Sequence, residues 1–209
     1  MEKIKGMVDK LIKQTLELLT IVRKIRETDY VSDIKNFEYL TGRLEYLSEK
    51  YTCVVREFAM KTFVANRYEV MDRACEIQGI EVQKDGNTII IDLPFLLPRK
   101  KGSENKFIGD PLKFKLEEMS ADNDFKIKEK AVVCIIHTHD NENKNARCYD
   151  YDNLESKKIL DIVTLFTLKD DAPEYCDVYQ TARMGNCDKT RIMVMPIDEF
   201  KREKLSLIF

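Results

Sequence analysis

The segment Asp150-Tyr151-Asp152-Asn153, followed by Lys157, Asp161 and the pair Asp170-Asp171, gathers five carboxylates, an amide and an ammonium into little more than twenty residues. Carboxylate oxygens are the ligands that Mg²⁺ and other hard cations prefer. Acids held around one or two such ions can drive phosphodiester cleavage. Asp150 and Asp152 are two apart, so in an extended chain both carboxylates point to one face. Asp152 or Asn153 can cap a following helix, whose N-terminal amides favour carboxylate or phosphate oxygens. Asn153, Lys157 and Asp161 recur at four-residue spacing and would share one face of that helix. Lys157 would then stand one turn from the acids, placed to neutralise a phosphate or a developing leaving-group charge. A salt bridge from Lys157 to Asp161 is the structural alternative. For the motif as a whole, the alternative is a solvated acidic loop that caps a helix.

Asp171 sets a geometric condition on this site. A helix from Asn153 through Leu168 would be about 24 Å long and would carry Asp171 far from Asp152. A helix that stops near Thr164 would be only about 18 Å long. Leu165-Phe166-Thr167-Leu168 could then return extended and bring Asp171 beside Asp152. The expectation is this second arrangement, with the Asp150, Asp152 and Asp171 carboxylates within about 8 Å of one another, close enough to share paired ions.

The elements that must position these groups follow from periodicity. Residues 1 to about 78 read as helical throughout. Ile4, Val8, Leu11, Thr15, Leu18, Val22 and Ile25 step by fours and threes, as do Phe37, Leu40, Leu44, Leu47, Tyr51, Val54 and Phe58. That is the period of a helix with one apolar seam. Arg26 to Ser32 interrupts the pattern, and Ser32 or Asp33 can cap the second helix. Two long helices folding back as a hairpin are expected. Ile12, Leu16 and Leu19 lie beside the first seam and widen it, which leads to the expectation of a homodimer or of packing on the rest of the chain.

At Gly79 the pattern changes. Ile80 to Val82 and Thr88 to Ile91 read as strands, and Asp85-Gly86 between them is a strong hairpin signal. Pro94 and Pro98 stop regular pairing. A helix is expected from Pro111 to about Met119. The nearly continuous apolar run from Ala131 to Thr138 reads as a central buried strand. A helix from 153 to about 163 follows, and Val178 to Ala182 with Arg191 to Met195 read as a closing pair of strands. The fold expected is α+β: a helical hairpin over residues 1–78, for dimerisation or docking, and a mixed domain over 79–209.

Composition narrows the function classes. The chain has 209 residues and a formal net charge of -2. Phosphate binding usually leaves a basic footprint, and Arg99-Lys100-Lys101 with Lys106 form a local cluster in an expected loop. Cys53, Cys75, Cys134, Cys148, Cys176 and Cys187 show no C-x-x-C spacing, which fits reduced thiols. No apolar run is long enough to span a bilayer, and Met1-Glu2-Lys3-Ile4-Lys5 lacks a secretory core. The expectation is a cytoplasmic protein without a membrane span. His137-Thr138-His139-Asp140 ends a strand with both imidazoles on one face. With no third histidine in the chain, solvated strand-end residues are expected there rather than a metal site. The nucleotide-cradling and serine-nucleophile motifs G-x-x-x-x-G-K-[ST], G-x-G-x-x-G and G-x-S-x-G are not found.

Asp-x-Asp-Asn, a lysine shortly after, an aspartate about ten on and then Asp-Asp before a strand resembles the RusA-type Holliday-junction resolvases, over roughly residues 88 to 196. The resemblance implies a RusA-like fold and a Mg²⁺-dependent endonuclease acting on branched DNA as a dimer. It implies Asp150, Asp152 and Asp171 as metal ligands, with Lys157 assisting. Lys157 lies five residues after Asp152, one later than in the resolvase pattern, which rotates it by about 100° on a helix. The strings Leu93-Pro94-Phe95-Leu96-Leu97-Pro98, Tyr151-Asp152-Asn153-Leu154-Glu155 and Tyr175-Cys176-Asp177 also resemble an uncharacterised bacterial family common on mobile elements, over the whole chain. The runner-up function is a non-catalytic interaction protein of a mobile element that keeps the fold as a scaffold.

Overall fold

The computed structural model describes residues 2–62, 66–98, 105–121, 125–142 and 154–208, with residues 105 and 203–208 described by backbone alone. The chain divides into two compact units, Met1–Val70 with Gly102–Ile108, and Met71–Lys101 with Gly109–Phe209.

In the first unit α1 (Glu2–Glu27) and α2 (Ile34–Lys61) form a helical hairpin. The turn between them is held by Asp29, whose carboxylate accepts from the Val31 amide at 3.0 Å and the Ser32 hydroxyl at 2.9 Å. These bonds lower its pKa, the Val31 amide most of all. Asp33 caps α2 by accepting from the Asn36 amide at 3.3 Å. The α2 seam is the one expected, with Leu40, Leu47 and Val54 buried. The α1 seam is the one expected only in part. Leu11, Leu18 and Ile25 face inward as expected, but Ile4, Val8, Thr15 and Val22 are exposed, and Met7, Gln14 and Ile21 face inward in their stead, with Gln14 and Ile21 buried. The helix is rotated by about 50° from the expected setting, half of the roughly 100° that one residue subtends. Two heptad-like runs lie side by side on α1, and Gln14 interrupts one where Thr15 interrupts the other, so the pattern alone does not choose between them. The rotation gives Ile21 the pocket beside Leu40 and Leu47 and buries Gln14, whose Oε1 finds no partner among the described residues.

Helical structure does not run unbroken to residue 78. A third helix, α3 (Arg67–Gln78), starts afresh after Thr62. Asn66 accepts from the Glu69 amide at 2.8 Å and donates to the Glu69 carboxylate at 3.0 Å, a reciprocal helix-start pairing.

In the second unit β1 (Glu81–Asp85) and β2 (Thr88–Leu93) pair as the expected hairpin, with Gly86 at φ 57° in the turn. Helix α4 (Asn105–Met119) begins ahead of Pro111, which lies inside it. The remaining elements are β3 (Ala131–Asp140), α5 (Ser156–Thr167), β4 (Cys176–Gly185), β5 (Lys189–Pro196) and α6 (Ile197–Ile208). One sheet of order β1-β2-β5-β3-β4 results. β3 runs parallel to β4 and antiparallel to β5, so β3–α5–β4 is a β-α-β crossover. β4 and β5 therefore do not form the closing pair expected of them. β3, the most apolar strand, lies between them and is buried from Ala131 to His139.

The two faces of the sheet are covered differently. Cys134, Ile136, Met193 and Met195 lie on one face with Phe200 of α6 and Tyr179. Burial pushes the Cys134 thiol up to about 11. On the other face Ile89, Ile91, Val133, Ile135, Ile192 and Val194 are fully buried. Helices α4 and α5 bury Leu112, Leu116, Ile159 and Val163 and meet closely, since a Cβ on Gly109 would lie 3.2 Å from Ile162. Among the described residues no helix is long and apolar enough to cross a membrane.

Candidate functional site

The crossover fixes where the sequence-predicted site residues can stand. In a β-α-β unit the chain leaves the carboxyl end of the first strand, enters the helix there, and returns to the amino end of the second. Ala131 pairs with Cys176 and Asp140 with Gly185, so the segment after Asp140 and the segment before Cys176 lie at opposite ends of the sheet. Lys157 is exposed in the first turn of α5, at the carboxyl end of β3. Asp171 is exposed beyond the last turn of α5, at the amino end of β4. The length of α5 from Lys157 to Thr167 separates them by about 15 Å along the helix axis. Asp150, Asp152 and Asn153 fall outside the described residues, as do Arg99, Lys100 and Lys101.

Helix α5 does not stop near Thr164. It continues through Thr167, and Leu165 to Thr167, expected to return extended, are its last turn. Val163, Thr164 and Thr167 form its buried side. The Thr164 and Thr167 hydroxyls donate back to the Leu160 and Val163 carbonyls at 3.0 and 2.8 Å, which lets these side chains be buried within a helix. Only Leu168 is extended, bridging to Ile127.

At the carboxyl end of β3 the structure assembles polar groups that local sequence did not bring together. His137 and His139 share a face, as alternation requires, but they are buried rather than solvated. The reason is the central place of β3, flanked by β4 and β5 along its length. His137 Nδ1 lies 3.2 Å from the Thr190 hydroxyl and Nε2 lies 2.9 Å from the Gln180 amide nitrogen. An amide nitrogen only donates, so Nε2 accepts and Nδ1 carries the proton of a neutral ring. Burial, with the neighbouring His139 adding to it, pulls His137 down to about 4. His139 Nδ1 is buried without a partner among the described residues. Beside them the Asp140 amide donates to the Asp188 carboxylate at 2.8 Å and the Asn141 amide to the Gly185 carbonyl at 2.8 Å. Arg183 Nε donates to the Thr138 hydroxyl on the opposite face at 3.4 Å. Gln180, Asp188 and Thr190 carried no local signal, since each meets β3 only through strand pairing.

What these groups do chemically is hold the strand end. They fix one histidine tautomer and anchor the chain as it leaves for residues 143–153. Among the described residues no group of three or more His, Cys, Asp or Glu is arranged to hold a metal ion. Among the described residues, no two of Cys53, Cys75, Cys134, Cys176 and Cys187 are joined in a disulfide.

A different feature stands out on α1. Ile4, Val8, Ile12, Leu16, Leu19 and Val22 are all exposed, Ile12 at 53%, Leu16 at 61% and Val22 at 50%. At about 100° per residue they fall within one arc about 120° wide, beside the seam that α2 covers.

Comparison with known proteins adds a family. The periplasmic domain of Helicobacter pylori MotB is similar over 62% of this chain and 86% of that one, at 8% identity and a TM-score of 0.36, and a likeness of that order carries no argument. No curated protein matches the chain. The model of a family of unknown function, DUF6100, matches residues 1–202, and the chain belongs to that family.

Proposed function

We propose that this is an interaction protein that docks another helix on the open face of α1, with the mixed sheet domain as its scaffold. The observation that carries this reading is the stripe of six large apolar side chains left exposed along α1 while the adjacent seam is filled by α2. Single exposed apolar residues are ordinary, but a contiguous stripe marks a surface that meets a partner. Ile12→Glu, melted over a dilution series, tests it. At the dilute end the variant should melt with the native chain, as a surface substitution does. A loss of several degrees at every concentration would mean that the stripe is packed within the chain itself, and would overturn the reading.

A second reading is a Mg²⁺-dependent endonuclease acting on branched DNA. It is favoured by one observation: the Asp150-x-Asp152-Asn153 motif precedes α5 in the sequence by two residues, and Lys157 is exposed in the first turn of that helix. Its centre would be Asp150, Asp152 and Lys157. Asp171, at the far end of α5, could serve only if residues 143–153 reached down the length of that helix. Labelled four-way junctions incubated with Mg²⁺ should be cut by the native chain and spared by Asp152→Asn. Absence of cleavage by the native chain removes this reading and leaves the first untouched.

A further inference from the structure

Resting on the docking reading above, we propose that the occupant of the open α1 face is α1 of a second copy, lying antiparallel about a two-fold axis at Thr15–Leu16, so that two hairpins make a four-helix bundle.

The stripe is nearly symmetric about its own middle. Val8 and Val22 stand at equal distances from Thr15, and Ile12 and Leu19 stand close inside them. An antiparallel copy centred there sets Val8 against Val22 and Ile12 against Leu19, with Thr15 facing its own counterpart at the middle and Ile4 beyond the matched span. Val8, Ile12, Thr15, Leu19 and Val22 also alternate steps of four and three, the spacing that lets two helices keep a common seam. Gln14 shows that α1 already tolerates one interrupted seam of this kind, against α2.

Charge selects the orientation. Asp9, Leu16 and Arg23 run at seven-residue spacing along the border of the stripe away from α2, and all three are exposed. In an antiparallel pair about Leu16, Asp9 meets the partner's Arg23 and Leu16 meets its own counterpart. Lys5 and Glu27, also exposed, are likewise equidistant from Leu16 and of opposite sign. In a parallel pair in register, every one of these positions would meet its like: Asp9 on Asp9, Arg23 on Arg23. Opposite charges at facing border positions fix partner and direction in helix pairs, and like charges oppose them. An isologous contact of this type closes on itself and gives a dimer rather than a filament.

The test uses the full chain and charge reversal. Light scattering or sedimentation across a concentration series should find a native dimer. Asp9→Arg alone and Arg23→Asp alone should each weaken it by about tenfold, because symmetry turns two attractive pairs repulsive at once. Asp9→Arg with Arg23→Asp should restore it. These are surface positions, and circular dichroism checks that each variant keeps its helices. A native chain that stays monomeric at high concentration overturns the second copy as occupant, while an unchanged melt of Ile12→Glu would still support a docking face. A dimer that is indifferent to both single reversals overturns the antiparallel arrangement, since in a parallel pair each reversal only exchanges one like pair for another.

Discussion

His137 is where burial and chemistry meet most directly. In the unfolded chain its imidazole takes up a proton as pH falls through about 6.5. In the fold it stays neutral down to about 4, because burial penalises the charged ring. The folded pKa is the lower one, so the associated stability is fully present above pH 6.5 and drains away between there and about pH 4. A shift of this size corresponds to roughly 3 kcal/mol. Melts of the native chain and of His137→Gln from pH 7.5 to 4.5 check this. Gln keeps a donor and an acceptor but does not titrate, so its profile should be flatter across that window; equal slopes in both proteins would sink the idea. The sequence placed both histidines on one face because alternation is local. It misjudged their burial because burial is conferred by the neighbouring strands β4 and β5, which also supply the Gln180 and Thr190 partners of His137. The same divide separates Lys157 from Asp171: both are close in sequence, and only the length of α5 decides that they are far apart.

Helices show how far periodicity reaches. The α2 seam was legible because its apolar residues offer one period and no rival. On α1 two apolar runs lie one residue apart, and hydrophobicity alone gives no reason to prefer Met7-Gln14-Ile21 over Val8-Thr15-Val22. The choice is made by fit against Leu40 and Leu47, a tertiary property. Truncation reads the outcome. Leu47→Ala, in the filled seam, should cost about 2–5 kcal/mol. Leu16→Ala, on the open stripe, should fall within about 0.5 kcal/mol when the chain is dilute. Chemical denaturation of the two variants decides the matter, and equal losses would mean that the seam assignment is wrong. Helix α5 was legible in place but not in length, because Leu165 to Thr167 are as compatible with a strand as with a helix, and Thr164 and Thr167 settle on the helix by bonding back into it.

At the scale of the whole molecule, the α+β class, long helices followed by a mixed sheet, was legible, since the period changes at Gly79. Strand order was not, because nothing local in β4 or β5 records that β3 comes between them. That order predicts a gradient of protection. β3 is bonded on both sides and covered on both faces, whereas β1 has one neighbour and alternates exposed with half-buried residues. Hydrogen exchange should be slowest for amides in 131–138 and fastest, among the strands, for those of β1. Peptides from β1 that exchanged as slowly as those from β3 would contradict the sheet order.

The order also bears on how the chain reaches its fold. β5, the last strand in sequence, is the one that joins the β1–β2 hairpin to the β3–α5–β4 unit. Before residues 189–196 are available, two half-sheets exist, each with an unpaired apolar edge: β2 on one side and β3 on the other. Such edges pair readily with other chains, and contacts between residues about a hundred apart, as between Asp92 and Arg191, are slow to form. During synthesis on the ribosome, then, the sheet is incomplete until residue 196 has emerged, and the interval before β5 arrives is the time at which this sheet is most exposed to aggregation.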